Sequence, residues 1–128
     1  MKIANTFVVI VLCVVAAAAQ DVAKVNAKTI TVKIDNPRVR VIEAVLQPGQ
    51  KEQMHSHPAS VVYVLSDGVI RNHAPDGSTS EATLKAGEVI YREPLTHWAE
   101  NIGTTPVRLL LIELKDAREK TSTSDLSH

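Results

Sequence analysis

Gly49-Gln-Lys-Glu-Gln-Met-His55-Ser-His57-Pro-Ala-Ser60-Val-Val-Tyr-Val-Leu65-Ser-Asp-Gly68 is the stretch from which the fold can be read. Ser60 to Leu65 is a β-branched and aromatic run that stops at Asp67-Gly68, a strong hairpin signal. Ahead of it stand two histidines one residue apart. On a strand, residues i and i+2 point to one face, roughly 6.6 Å apart along the backbone. Two imidazoles so placed can both reach one cation at ~2.0–2.1 Å.

Outward from this stretch the same period of two recurs. Thr29 to Ile34 alternates polar and apolar residues until Asn36-Pro37 breaks it, and a second run from Arg38 turns at Pro48-Gly49. Val69 to His73, Thr79 to Leu84, Glu88 to Tyr91, Thr96 to Asn101 and Val107 to Lys115 follow, with Pro75-Asp76-Gly77 as another tight turn. No useful window shows helical periodicity outside the region of the C-terminus. Many short strands between Gly and Pro turns predict an all-β sandwich or closed barrel.

The marker residues resemble the two motifs of the cupin superfamily. The first reads Gly49-QKEQM-His55-Ser-His57-PAS-Val61-VYVLSD-Gly68, with valine where the family has glutamate. The second reads Gly87-EVIYREPLT-His97-WAE-Asn101, one residue short in its first gap and with Pro94 replacing the inner glycine. Pro37-Arg-Val-Arg-Val-Ile and His-x-His-Pro further resemble small stand-alone bacterial cupins. The resemblance implies a double-stranded β-helix, or jelly-roll barrel, over residues 36–115, with an N-terminal strand segment at 20–35. It also implies that His55, His57 and His97 hold a divalent transition metal (iron, manganese, nickel, zinc or copper). Barrels of this kind commonly pair as homodimers, and pairing covers exposed strand edges.

With Val61 in the fourth position, two readings of the site stay open. Three imidazoles and water hold the metal, as in the three-histidine thiol dioxygenases of the superfamily, or the barrel binds a small molecule without it. Neutral ligands leave the full charge on the ion and favour anionic or chelating substrates. Gln53, two before His55, is expected to face the same way, and Tyr63 to share the face of Val61; these three are the candidate second-layer or substrate-facing residues. Strand periodicity places no carboxylate on the histidine face near the motif, so no general acid or base is evident. Met54 reads as core, His73 as an exposed turn-flanking residue, and Trp98 as part of the barrel wall or a subunit contact.

The bulk properties bound the function. The chain has 128 residues, one ordinary domain, with 14 basic and 14 acidic side chains. Beyond residue 20 its aromatics are Tyr63, Tyr91 and Trp98 alone. A nucleic-acid binder needs a basic stripe or a stacking platform, and the sequence has neither. Residues 1–19 combine Lys2, 13 apolar residues from Phe7 to Ala19 and small residues near Ala19. That is short of the ~20 needed to span a bilayer, and predicts a cleaved signal peptide with a periplasmic or secreted product and no membrane attachment thereafter. The single cysteine, Cys13, lies within it, so the mature domain has neither disulfide nor catalytic thiol. Residues 116–128 read as a flexible polar tail. The function classes that remain are a small-molecule metalloenzyme of dioxygenase type and a non-enzymatic module that binds a metal or a small ligand.

Overall fold

Alternation along each segment decides which side chains face inward, and two sheets close around them. The computed structural model describes residues 20–116; the expected signal peptide and nearly all of the polar tail lie outside that range. In chain order the elements are a short helix α1 (Val22–Val25) and nine strands: β1 (Ile30–Asp35), β2 (Val39–Leu46), β3 (His55–His57), β4 (Ser60–Val64), β5 (Gly68–His73), β6 (Thr79–Leu84), β7 (Val89–Arg92), β8 (Leu95–Asn101) and β9 (Val107–Leu114). A five-stranded sheet has the order β1-β2-β9-β4-β7, and a four-stranded sheet the order β3-β8-β5-β6. All pairings between these strands are antiparallel.

The inner face of the larger sheet is layered. Ile42, Leu111, Val62 and Ile90 stand in register as one apolar row, and Ala44, Leu109 and Val64 as the next. Most of these residues are buried, and they form the barrel core with Leu46, Ile70, Leu84 and Val107. At one end the row becomes polar: Arg40, Glu113, Ser60 and Arg92 pair across β2, β9, β4 and β7. Side chains directly opposite on antiparallel strands share a face with Cβ atoms about 4.5–5.5 Å apart. This polar row marks the end of the barrel where the histidines gather.

Three expectations change. Asp67-Gly68 does not close a hairpin, because β4 and β5 belong to different sheets. A Cβ on Gly68 would come within 2.6 Å of Val107 Cγ2, so the glycine serves close packing at a crossover. The 75–77 turn does join a hairpin, β5 with β6, and Gly77 sits there at φ +86°. The N-terminal segment carries a helical turn as well as a strand: Asp21 caps α1, its Oδ1 accepting from Ala23 N at 3.0 Å and Lys24 N at 3.3 Å. Met54, read as core, is 37% exposed because residues 52–54 lie outside any strand.

Candidate metal centre

The pairing of β3 with β8 sets His55 directly opposite His97, and the period of two brings His57 to the same face. All three rings are buried, and their ligand atoms lie within 4.8 Å of one another. The second ring nitrogen decides what each histidine can do. His55 Nδ1–H donates to the Gln53 carbonyl at 2.7 Å, nearer than the Asn26 Nδ2 donor at 3.1 Å, which has the same carbonyl to bond. His57 Nδ1–H donates to Glu113 Oε1 at 2.8 Å and His97 Nδ1–H to Asn72 Oδ1 at 3.1 Å. With all three Nδ1 atoms donating, each Nε2 keeps its lone pair. His55 Nε2 and His57 Nε2 are 2.9 Å apart. Two nitrogens bound at ~2.0–2.1 Å to a common ion, at a right angle, are separated by about that distance.

Burial drives the His55 and His97 imidazoles toward the neutral state that a metal needs. It pushes His55 down to about 4, against the hydrogen bond to the Gln53 carbonyl. His97 falls to about 3, through burial first and then the neighbouring His55 and His57. Burial alone would raise Glu113, but hydrogen bonds from His57 and Arg40 overcome it and hold the carboxylate below its ordinary value. Arg40 Nε donates to Glu113 Oε2 at 2.6 Å and Arg40 Nη1 to Asp21 Oδ2 at 2.6 Å. A chain of charge thus runs from the helix cap to His57.

A buried carboxylate also lies beside the histidines, contrary to the reading from strand periodicity. Glu52 Oε2 is 3.8 Å from His55 Nε2 and accepts from Ala99 N at 3.1 Å. Burial raises it to about 7, opposed by the Ala99 amide and the charge of Arg92. Glu52 precedes β3 in irregular chain, where its backbone N–H also donates to the Ala99 carbonyl. Its side chain turns inward from a segment with no period, so a parity rule could not find it.

The other candidates divide. Gln53 contributes its backbone carbonyl to His55 while its side chain is exposed. Val61 and Tyr63 alternate with the buried Ser60, Val62 and Val64, so they turn to the outer face of the sheet, away from the histidines. Tyr63 is 39% exposed. The missing family glutamate therefore leaves Ser60 and Val62, not Val61, facing the barrel interior. His73 is half-buried; it stacks on Trp98 with ring centroids 3.5 Å apart, and its Nε2 lies 2.9 Å from Glu100 Oε1. Asn101, the last marker of the second motif, is a buried structural hub. It donates to the carbonyls of Leu46 and Thr105 and accepts from Gly103 N.

Two spaces meet at the centre. An inner cavity of about 30 Å³ is bounded by Glu52, His57, Asn72, Arg92, His97 and an apolar wall. Outside it, a cleft of about 390 Å³ runs between Thr79, Leu95 and Thr96 and shares Asn72, Arg92 and His97 with the cavity.

A double-sheet β-barrel with three inward histidines of this kind defines a small domain able to hold a metal ion. The chain belongs to the cupin domain family, whose pattern matches residues 42–113. It is similar to a cupin domain from Bordetella pertussis, at 31% identity and TM-score 0.63, covering 68% of this chain and 92% of that one. A conserved protein with a double-stranded β-helix domain from Klebsiella pneumoniae is 26% identical, with TM-score 0.56 over 68% of this chain and 76% of its own. An RmlC-like cupin from Methanocaldococcus jannaschii shares the fold at 16% identity and TM-score 0.55, covering 74% of this chain and 88% of its own. No curated protein matches the chain.

Proposed function

We propose that this cupin is an exported metalloenzyme that holds one divalent transition metal through the Nε2 atoms of His55, His57 and His97 and acts on a small molecule. The observation that carries this reading is the locking of all three Nδ1 atoms by acceptors of the protein, which leaves three Nε2 lone pairs converging. Three neutral imidazoles suit iron, manganese, nickel, zinc or copper. Such an ion, when bound, would supply a Lewis acid with open positions for substrate, water or oxygen. The chain's own contributions are orientation of His57 by Glu113, a buried carboxylate in Glu52, and a largely apolar cavity wall that excludes water. Glu52 supports chemistry rather than storage, since a carboxylate able to hold a proton stands beside the centre.

Binding without turnover is the second reading, favoured by the small inner cavity. Elemental analysis of protein purified without chelators tests the metal directly. About one transition metal per chain is expected, and its loss in His57→Ala. Metal-free wild-type protein that takes up no ion at micromolar concentration would end the proposal. Oxygen uptake with thiol, diketone and catechol panels then separates enzyme from binding module. Export is checked by N-terminal sequencing of the mature protein, with a start after Ala19 expected.

A further inference from the structure

Arg92 closes β7 with its side chain on the inner face, lining both the inner cavity and the outer cleft. Its guanidinium stands where the two spaces meet. Three other arginines of the barrel are paired, Arg40 with Asp21 and Glu113, Arg71 with Glu81 and Glu100, Arg108 with Glu43, and Arg38 is exposed to solvent. Among the described residues, the Arg92 side chain makes no direct hydrogen bond or close ion pair; the Glu52 carboxylate acts on its charge from a distance. Glu52 does not bond it directly: its Oε2 accepts from Ala99 N and lies 3.8 Å from His55 Nε2. Holding a half-buried cation without a directly bonded partner costs free energy.

Directly across β4 from Arg92 is Ser60, 1% exposed, whose Oγ has no hydrogen-bond partner. Buried hydroxyls are ordinarily bonded. Ser60 and Arg92 therefore sit on adjacent strands and on one face, but of the two it is Arg92 that lines the cavity and the cleft. A planar carboxylate fits the guanidinium, which binds it through two parallel N–H donors. One guanidinium balances one negative charge. With Glu52 close by, a monoanionic group is better matched than a phosphate dianion.

We propose that Arg92 forms an anion seat and that the ligand of this centre is a small carboxylic acid, bound as the carboxylate and entering through the cleft. The proposal builds on the metal-centre reading only for the other end of the ligand, which would face His97 and His57. The outer cleft has room for a molecule of a few carbons, and the inner cavity only for its head group.

The test is calorimetric titration with acetate, propionate and succinate, each against its amide, and with inorganic phosphate. It uses wild type, Arg92→Gln, Arg92→Lys and Ser60→Ala, metal-loaded and after chelation, with metal content measured for every sample. Wild type is expected to bind at least one carboxylate about tenfold or more tighter than its amide. Arg92→Gln should erase that preference with metal content unchanged; Arg92→Lys should keep part of it, and Ser60→Ala should bind like wild type, because the Ser60 side chain lines neither space. The proposal is overturned if no carboxylate binds wild type at millimolar concentration, if the amides or phosphate bind as tightly, or if Arg92→Gln binds like wild type. A wild type that holds no metal defeats the metal reading alone. The dependence on Arg92 in chelated protein then still decides the anion seat.

Discussion

At His57 the decisive partner is Glu113, a carboxylate only 2% exposed. A buried anion of this kind is tolerated because Arg40 and the imidazole N–H satisfy both its oxygens. The same bond fixes the tautomer and makes the imidazole a better donor toward a cation. Glu113→Gln keeps the volume and an acceptor oxygen but removes the charge. Metal affinity should fall about 10–100-fold, the usual cost of losing such a support, as measured by competition with a chromophoric chelator. The metal-free variant should also lose about 3 kcal/mol in urea unfolding, because Arg40 is left half-paired. An unchanged affinity would mean that the Glu113 bond is structural only. Chelation has its own signature. Removing a metal present at about 100 times its Kd should cost about 2.7 kcal/mol of stability, and thermal unfolding reports it.

Among the elements, β4 shows both what the sequence displays and what it hides. Its β-branched run is plain, and so is the pairing of His55 with His57, because a strand's period and a ligand's reach are both local rules; His97 entered only through the resemblance to the cupin motifs. Which sheet β4 joins is not local. Asp67-Gly68 has the composition of a hairpin turn, yet β5 crosses to the other sheet and Gly68 packs against Val107 Cγ2. Gly68→Ala should therefore destabilise by about 1–3 kcal/mol, the cost of overpacking, because Val107 is fully buried and β-branched and cannot swing aside. Chemical denaturation measures it, and a neutral result would remove the close-packing account. The same limit hid the polar row. Arg40, Ser60, Arg92 and Glu113 lie far apart in sequence and become neighbours only through strand order. Glu52 was hidden differently, by irregular backbone that no periodicity describes.

For the whole molecule, closing a barrel over ionisable groups makes stability a function of pH, with opposing contributions. In metal-free protein His55 is depressed to about 4 and His97 to about 3, from 6.5. Below 6.5 the unfolded chain takes up protons there that the folded chain refuses, so stability falls as pH drops. Glu52 is raised from 4.5 to about 7. Between those values the folded chain keeps a proton that the unfolded chain has released, so this group's contribution is lost as pH rises. Glu113 and Asp21, both held low, titrate below the window. From about pH 5 to 6 the balance is one net proton taken up on unfolding, and stability should rise by up to about 1.4 kcal/mol per pH unit. Glu52→Gln removes the opposing group, so the slope should approach twice that value and stability near pH 8 should increase. Urea midpoints of the chelated proteins across pH 5 to 8 measure both quantities. A slope that the substitution leaves unchanged would show that Glu52 is ionised in the folded protein, and hence that water reaches it beside His55. Metal-loaded protein should lose stability more steeply on acidification, because protons then compete with the ion for the same three Nε2 atoms.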